Sequence, residues 1–439
     1  MALPQARVPV AARPDVLVVG GGSAGLAAAV AAARNGAEVM LVERFGYLGG
    51  LATGGLIILL LTLDDGAGRQ AVAGLCQEIV DRMERRGAVH YPPKGEWNDP
   101  DPRLVERYSR WGLVWGSGPH RVRYSVAFEP HEFIFAADEM LQEAGVRPLY
   151  HTWACEPVIE DGAVTAVIVQ NKAGRQAIAP RVVIDTSGDG DIFAAAGEPF
   201  ELERVHPWLW FLMSNVGDLE GAFAGGKGLF FHTLGEGRAL VPWGGEARTR
   251  RKIDATDPVE LSEAMAECRR MVKEEAARLQ GAVPAFRDAY ISLIADQLGI
   301  TESRRLRGEY VMSREDLDRP FDDAIARTGH WTKYGCVYNI PYRSLLPRGL
   351  ANLLTAGRCI SVDRRVHHAT KEIPACMATG QAAGTAAAMA PAVPAAWPVA
   401  MHGGISLVAW WTRWSAEMQR PATSRFETPR GNRLRYGML

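Results

Sequence analysis

The stretch that most limits what this chain can fold into runs from Asp15 to Arg44, DVLVVGGGSAGLAAAVAAARNGAEVMLVER. Val16–Val19 is a short apolar run bounded by Pro14 and by glycine, the pattern of a buried parallel strand. Gly20, Gly22 and Gly25 follow at G-x-G-x-x-G spacing. The first glycine permits a tight turn, the second lets backbone approach a pyrophosphate, and the third lets a helix pack on the strand. Leu26–Arg34 is alanine-rich and helix-forming, so its N-terminus points free N–H groups at phosphate. Gly36 ends that helix and Glu38–Val42 reads as the next strand. Glu43 lies about 23 residues beyond Gly20, where a carboxylate accepts hydrogen bonds from a ribose. This βαβ unit predicts dinucleotide binding without separating NAD from FAD. A second glycine-rich loop at Gly46, Gly49, Gly50, Gly54 and Gly55 allows another close approach to an extended ligand, which a nicotinamide dehydrogenase does not usually need here.

A chain of 439 residues is too long for one simple core. Its net charge of −1 gives no support for a nucleic-acid or membrane-surface partner. Residues 1–14 lack an apolar signal region and read as a disordered leader. The longest apolar run, Leu56–Leu63, is too short to span a bilayer and reads as core or cavity lining. Six scattered cysteines without a C-x-x-C pair point to reduced thiols in the cytoplasm, and no metal-ligand spacing is visible.

Further along, residues 66–90 read as helical and 91–125, with Trp97, Trp111 and Trp115, as a cap or loop layer. A helix is expected over Glu129–Gly145, a strand over Val146–Tyr150, and a hairpin over 151–170 turning at Asp161 and Gly162. A strand at Arg181–Ile184 runs into an acidic, glycine-rich turn, 185–191, which reads as a ligand-side loop or an acidic surface turn. His206–Met213 reads as an aromatic strand, Pro258–Gln280 as a long polar helix and Leu353–Ala356 as a strand. Pro374 opens a helix over Ala375–Met389 whose N-terminus offers N–H groups and positive potential. Trp410, Trp411 and Trp414 read as packing or a homo-oligomer contact.

The segments Val18–Gly36, Glu43–Thr53, Ile184–Asp191, Glu302–Val311 and Ile340–Ala388 together resemble those of the FAD-dependent oxidoreductase family. The resemblance implies an α/β fold: a Rossmann-like FAD-binding domain with a parallel sheet, plus an inserted α+β substrate domain. The FAD-binding domain would be discontinuous, over 15–65, 126–200 and 346–395. The substrate or cap domain would take 66–125 and 201–345, with a C-terminal helical extension at 396–439. It also implies extended FAD, its pyrophosphate held by Gly20, Gly22, Ser23, Ala24 and Gly25 and its adenosine ribose by Glu43 and Arg44. Gly50, Leu51, Ala52 and Thr53 would border the pyrophosphate and flavin, and Ala154 and Cys155 the adenine. Gly188, Asp189, Gly357 and Arg358 would line the far side of the cofactor. Ala375, Cys376 and Met377, at the start of the Pro374 helix, would face the flavin pyrimidine edge, where a helix N-terminus stabilises negative charge.

The chain departs from that family at 367–372. Where relatives commonly carry a small residue and then Ser-x-Arg, it has His367, His368, Ala369, Thr370, Lys371 and Glu372. Lys371 keeps a positive charge without the guanidinium fork. His367 and His368 become the leading acid/base candidates, since histidine suits removal of an O–H or N–H proton. Tyr342, Tyr334 and His232 stand behind them, and Arg304 and Arg305 could anchor an anion or hold a buried ion pair. The expected activity is that of a dehydrogenase or oxidase. Hydride passes from a small, partly apolar substrate to flavin, and oxygen or another acceptor reoxidises it. Two alternatives remain: a flavin reductase or hydroxylase using NAD(P)H, and an FAD-containing RNA-modification or assembly protein, which needs a basic face.

Overall fold

The computed structural model describes residues 7–226 and 228–390. A five-stranded parallel sheet positions everything else. Its order across the sheet is Leu353–Thr355, Val182–Asp185, Val16–Val19, Val39–Val42 and Arg147–Leu149. The Val16–Val19, Val39–Val42 and Val182–Asp185 strands are buried throughout, which is why they are continuous apolar runs rather than alternating ones. Register fixes the edge. Val19 lies opposite both Val42 and Asp185, and Asp185 opposite Thr355, so the loops after these four strands emerge side by side.

Both sheet faces are covered. On one, Leu17, Val19, Met40, Val42 and Val183 pack with Val164, Val167, Val169 and Ile178 of an antiparallel layer. That layer contains the hairpin Trp153–Glu160 and Ala163–Asn171, which turns through Asp161 and Gly162 at positive φ. On the other face lie two helices, Ser23–Arg34 and Ile373–Met389. A Cβ on Gly380 would meet the carbonyl oxygen of Ala24, and one on Gly384 that of Ala28. The helices therefore touch backbone to backbone.

Between Val182–Asp185 and Leu353–Thr355 the chain builds a second, antiparallel sheet, ordered Phe231–His232, Arg238–Val241, Phe211–Ser214 and Tyr290–Ile294. The long helix Pro258–Ala282 belongs to the same stretch and is capped by the Asp257 carboxylate on the N–H groups of Val259 and Glu260.

Four expectations change. Val10–Ala12, in the expected disordered leader, forms a strand parallel to Gly174–Ile178. The helix expected over 66–90 spans only Gly74–Glu84. Before it, the Asp64 and Asp65 side chains accept N–H groups from Gly66, Ala67 and Arg69, and such local bonds compete with helix. Inside the expected loop layer, Pro102–Ser109 is a helix, with Asp101 as cap and Pro102 in the first turn. The aromatic strand expected over 206–213 begins at Phe211, because Leu209 N–H bonds to Trp243 outside the ladder. Trp410, Trp411, Trp414 and the extension at 396–439 lie outside the described residues. Among those described, no helix is long and apolar enough to cross a membrane.

Candidate functional site

A cavity of about 730 Å³ runs along the carboxyl edge of the parallel sheet. One wall is made of strand-end loops. Gly20, at φ +101°, turns the chain out of the first strand, and a Cβ there would press on the Thr186 carbonyl oxygen at 2.5 Å. Gly22 has no atom within 4 Å of where a Cβ would stand, so its backbone lies open to the cavity. It precedes the Ser23–Arg34 helix, whose N-terminus no side chain caps. The second glycine loop meets the first there: Gly49 N–H donates to the Gly21 carbonyl at 2.9 Å, and Gly50 lies 3.2 Å from Gly22 Cα in Cβ terms. Glu43 is buried and ties the loops, accepting Gly21 N–H at 2.5 Å and Phe45 N–H at 2.8 Å.

The acidic turn faces the cavity. Asp185 is fully buried, and it accepts the Ser187 hydroxyl and N–H through one oxygen and Ile192 and Phe193 N–H through the other. That leaves Gly188, Asp189 and Asp191 on the cavity wall. Arg358 donates to the Gly188 carbonyl at 2.9 Å, to Asp189 and to the Ile300 carbonyl, joining two strand ends to the inserted stretch. Asp191 is pushed up to about 6, by burial first and then by Asp189 and Asp185.

The opposite wall comes from the inserted stretch. Leu261, Ser262, Met265, Ala266 and Arg269 share one face of the Pro258–Ala282 helix, at i, i+1, i+4, i+5 and i+8. The segment 296–301 continues that wall. Gln297 N–H donates to the Gly54 carbonyl and its side chain to the Tyr47 hydroxyl, each at 2.9 Å. At another part of the cavity Lys371, Glu372, Ile373 and Cys376 bring in the uncapped N-terminus of the Ile373–Met389 helix.

Most of the expected cofactor residues line this cavity: Gly20, Gly22, Ser23, Ala24, Glu43 and Arg44 from the first unit; Gly50, Leu51 and Ala52 from the second loop; Ala154, Gly188, Asp189, Gly357, Arg358 and Cys376 from later elements. Five others do not. A Cβ on Gly25 would collide with the Gly20 carbonyl, so its place is helix–strand packing. Thr53 is turned inward and donates its hydroxyl to the Leu48 carbonyl at 2.6 Å. Cys155 sits off the cavity with its thiol toward the Trp153 carbonyl, and Ala375 and Met377 are buried behind Cys376.

Of the acid/base candidates, only Lys371 reaches the cavity wall. His367 is 1% exposed, and its Nε2 donates to the Arg358 carbonyl at 3.0 Å, so it props Arg358 from behind. Burial, then the charges of Lys371, Arg305 and Arg358, hold its pKa well below the usual histidine value. His368 is on the outer side of the same short helix, Arg364–Thr370, exposed and away from the wall. Tyr342 is buried, and burial raises its hydroxyl. Tyr334 donates to the Arg121 carbonyl, and His232 pairs with Glu220. Arg304 pairs with Asp191 at 3.0 Å and Arg305 with Glu201 and Glu302, so both guanidinium groups are engaged.

Several wall residues carry no sequence mark. Phe45 and Trp153 face the cavity with the Arg44 guanidinium 5.0 and 5.2 Å from their rings. Gln297 and the stripe on the long helix are likewise outside any motif, whereas Ile57 belongs to the apolar run Leu56–Leu63 read as core or cavity lining; helical spacing alone could have grouped the stripe, but not aimed it.

With the geometry in place, comparison with known proteins is direct. The family described as FAD dependent oxidoreductase matches residues 15–393. The chain belongs to that family. Comparison with curated proteins gave no match. Solved structures similar to this oxidoreductase include a geranylgeranyl bacteriochlorophyll reductase-like protein from Thermoplasma acidophilum (15% identity, 93% of this chain and 84% of that one, TM-score 0.45). Others are p-nitrophenol 4-monooxygenase from Pseudomonas putida (12%, 92% and 84%, 0.47) and glycine oxidase from Bacillus cereus (14%, 85% and 94%, 0.45). The oxidoreductase's cavity fits FAD on its own terms. Gly22 leaves free the space a side chain would fill, and two uncapped helix N-termini border the same cavity.

Proposed function

We propose that this FAD-dependent oxidoreductase takes hydride from a small, partly apolar organic substrate, an alcohol, an amine or an activated C–C bond, and is reoxidised by oxygen or another acceptor. FAD, when bound, supplies the ring that accepts the hydride. The observation that carries this reading is an aromatic cluster beside Lys371, which itself lines the cavity. The Lys371 Nζ stands 5.5 Å from the Trp331 ring centroid, Trp331 lies 5.8 Å from Trp115, and Trp115 lies 5.6 Å from Phe231. Such apolar surroundings favour a flat or apolar group, and one adjacent cation orients its polar end.

Lys371 is our choice for the group that touches substrate. Its Nζ donates to Glu372 at 2.6 Å, which holds it in place while leaving two N–H bonds to point a hydroxyl or amine. His330, beside Trp331, accepts the Thr332 N–H on Nδ1 at 3.2 Å, so the neutral ring carries its proton on Nε2. Burial, followed by the charges of Lys333, His368, Arg123 and Lys371, lowers its pKa to about 4, and it stays neutral at physiological pH.

The test is anaerobic titration of the purified holoprotein with a panel of alcohols, amines and saturated acids, following bleaching of the oxidised flavin band. Bleaching by a ring-bearing member, with KM raised in Lys371→Met while the resting spectrum is unchanged, supports the reading. Rapid bleaching by NAD(P)H with none by any organic donor would overturn it in favour of a reductase or hydroxylase.

A further inference from the structure

The two walls of the cavity differ in how their cations are used. On the sheet side, Arg358 is spent on Asp189, Lys371 on Glu372, and Arg44 lies over the Phe45 and Trp153 rings. The same side brings Glu43, Asp189 and Asp191 into the cavity. A pyrophosphate diester carries two negative charges at neutral pH, and helix N-termini supply only partial positive charge. A dianion entering this acidic space needs full counter-charge, and apart from Arg44, stacked on the Phe45 and Trp153 rings, the sheet side offers no lining cation without a carboxylate partner among the described residues.

The long helix does. Arg269 lines the cavity, is exposed to it, and among the described residues makes no ion pair or hydrogen bond. Its neighbours behave otherwise: Arg270 pairs with Glu274 one turn on, Arg278 with Glu275, and Arg251 with Glu263. The helix is held in place by Ala264, Cys268, Val272, Ala276 and Leu279, buried beside the stripe at i+3 and i+7 spacing from its members. The stripe bearing Arg269 is thus presented to the cavity by a fixed support, and its apolar members Leu261 and Met265 face the same space.

We propose that Arg269 is the counter-ion of the FAD pyrophosphate, so that the helix inserted between two strands of the parallel sheet closes over the cofactor. The inference rests on the reading of this cavity as the FAD site and adds a contact from outside the nucleotide motifs. Holding the cofactor then requires the inserted stretch to be docked, and substrate-side structure and cofactor retention become linked.

The experiment uses the full chain stripped of flavin and titrated with FAD, following quenching of FAD fluorescence at low and high salt. Arg269→Ala should weaken FAD about 10- to 100-fold, the range of one charge-assisted bond, and flatten the salt dependence. Arg269→Lys should recover part of the loss, and Arg269→Glu should exceed it. Arg270→Ala, one residue on and outside the cavity wall, should bind as the parent does. In competition, ADP should lose affinity with Arg269→Ala and adenosine should not, which isolates the pyrophosphate. Equal FAD affinity and salt slope in parent, Arg269→Ala and Arg270→Ala would overturn the proposal, with circular dichroism of the stripped proteins certifying the fold. Gly22→Val separates the two levels. Retention of FAD by that variant would refute the cavity assignment itself, whereas its loss beside an indifferent Arg269→Ala would refute only the clamp.

Discussion

The two walls of the cofactor cleft are built from different materials. The sheet-side wall is backbone: glycine loops, two uncapped helix N-termini, and two helices so close that Gly380 and Gly384 lie against the carbonyls of Ala24 and Ala28. The facing wall is side chain: one stripe of a 25-residue helix whose hold on the protein comes through the buried residues that flank the stripe. A backbone wall tolerates almost no substitution, because an added atom meets main chain at Gly20, Gly25, Gly380 and Gly384 and, at Gly22, would project into the open cavity. A side-chain wall can change its residues while its scaffold stays put. The first suits a cofactor common to a family, and the second suits whatever distinguishes this member.

The sharpest way to break that comparison is to load the backbone contact. Gly380→Val should destabilise the protein by about 3 kcal/mol or more, since overpacking a site with no room to relax forces the helices apart. Thermal unfolding of the holoprotein measures it, and FAD should be lost alongside, because the N-terminus of Ser23–Arg34 moves with its helix. A shift no larger than that of a surface substitution would mean the helix pair is not the rigid element argued here.

A subtler test concerns a sheet-side side chain whose carboxyl is raised into the working range. Asp191 has its carboxyl raised from 3.8 to about 6 by burial and by Asp189 and Asp185. At pH 8 it is ionised and opposes an incoming anion; at pH 5 it is mostly neutral. FAD affinity should therefore rise as pH falls from 8 to 5, by about tenfold if the bound anion lifts this carboxyl one further unit. Asp191→Asn should bind at pH 8 as the parent binds at pH 5, with the slope gone. Affinity that instead falls toward pH 5 in both proteins would assign the titration to another group.

The same contrast explains what could be read from the chain. The sheet-side wall was legible because its chemistry is written in residue types that have few other uses: Gly20 and Gly22 before a helix, and Glu43 after a second apolar run. Gly25 was legible too, as the packing contact its collision with Gly20 requires. The facing wall was not legible. Leu261, Met265 and Arg269 are ordinary helix residues, and their meaning depends on which way the helix is turned, which is decided by the burial of Cys268 and Val272 beside them. The two histidines part company for a related reason. His367 and His368 are adjacent in sequence to a cavity lysine, yet the Arg364–Thr370 helix turns one against the Arg358 carbonyl and the other to solvent. Local competition also hides structure: Asp64 and Asp65 bind their own following N–H groups and delay the next helix to Gly74.

The smallest effects should come from the ends of the long helix. Asp257→Ala removes an oxygen that accepts from Val259 N–H at 2.8 Å and Glu260 N–H at 3.2 Å, and should cost about 1 kcal/mol, the usual worth of such a cap. Gly281→Ala should go the other way. No atom lies within 4 Å of its Cβ position, and replacing an unstrained helical glycine gains up to about 1 kcal/mol, less near a frayed end. Denaturant titration of both variants would place them against Gly380→Val. If the open glycine at 281 proved as intolerant as the packed one at 380, the two walls would not differ in rigidity. Opposite signs, with FAD affinity unchanged in both end variants, would show that the long helix can be tuned without disturbing the cofactor it faces.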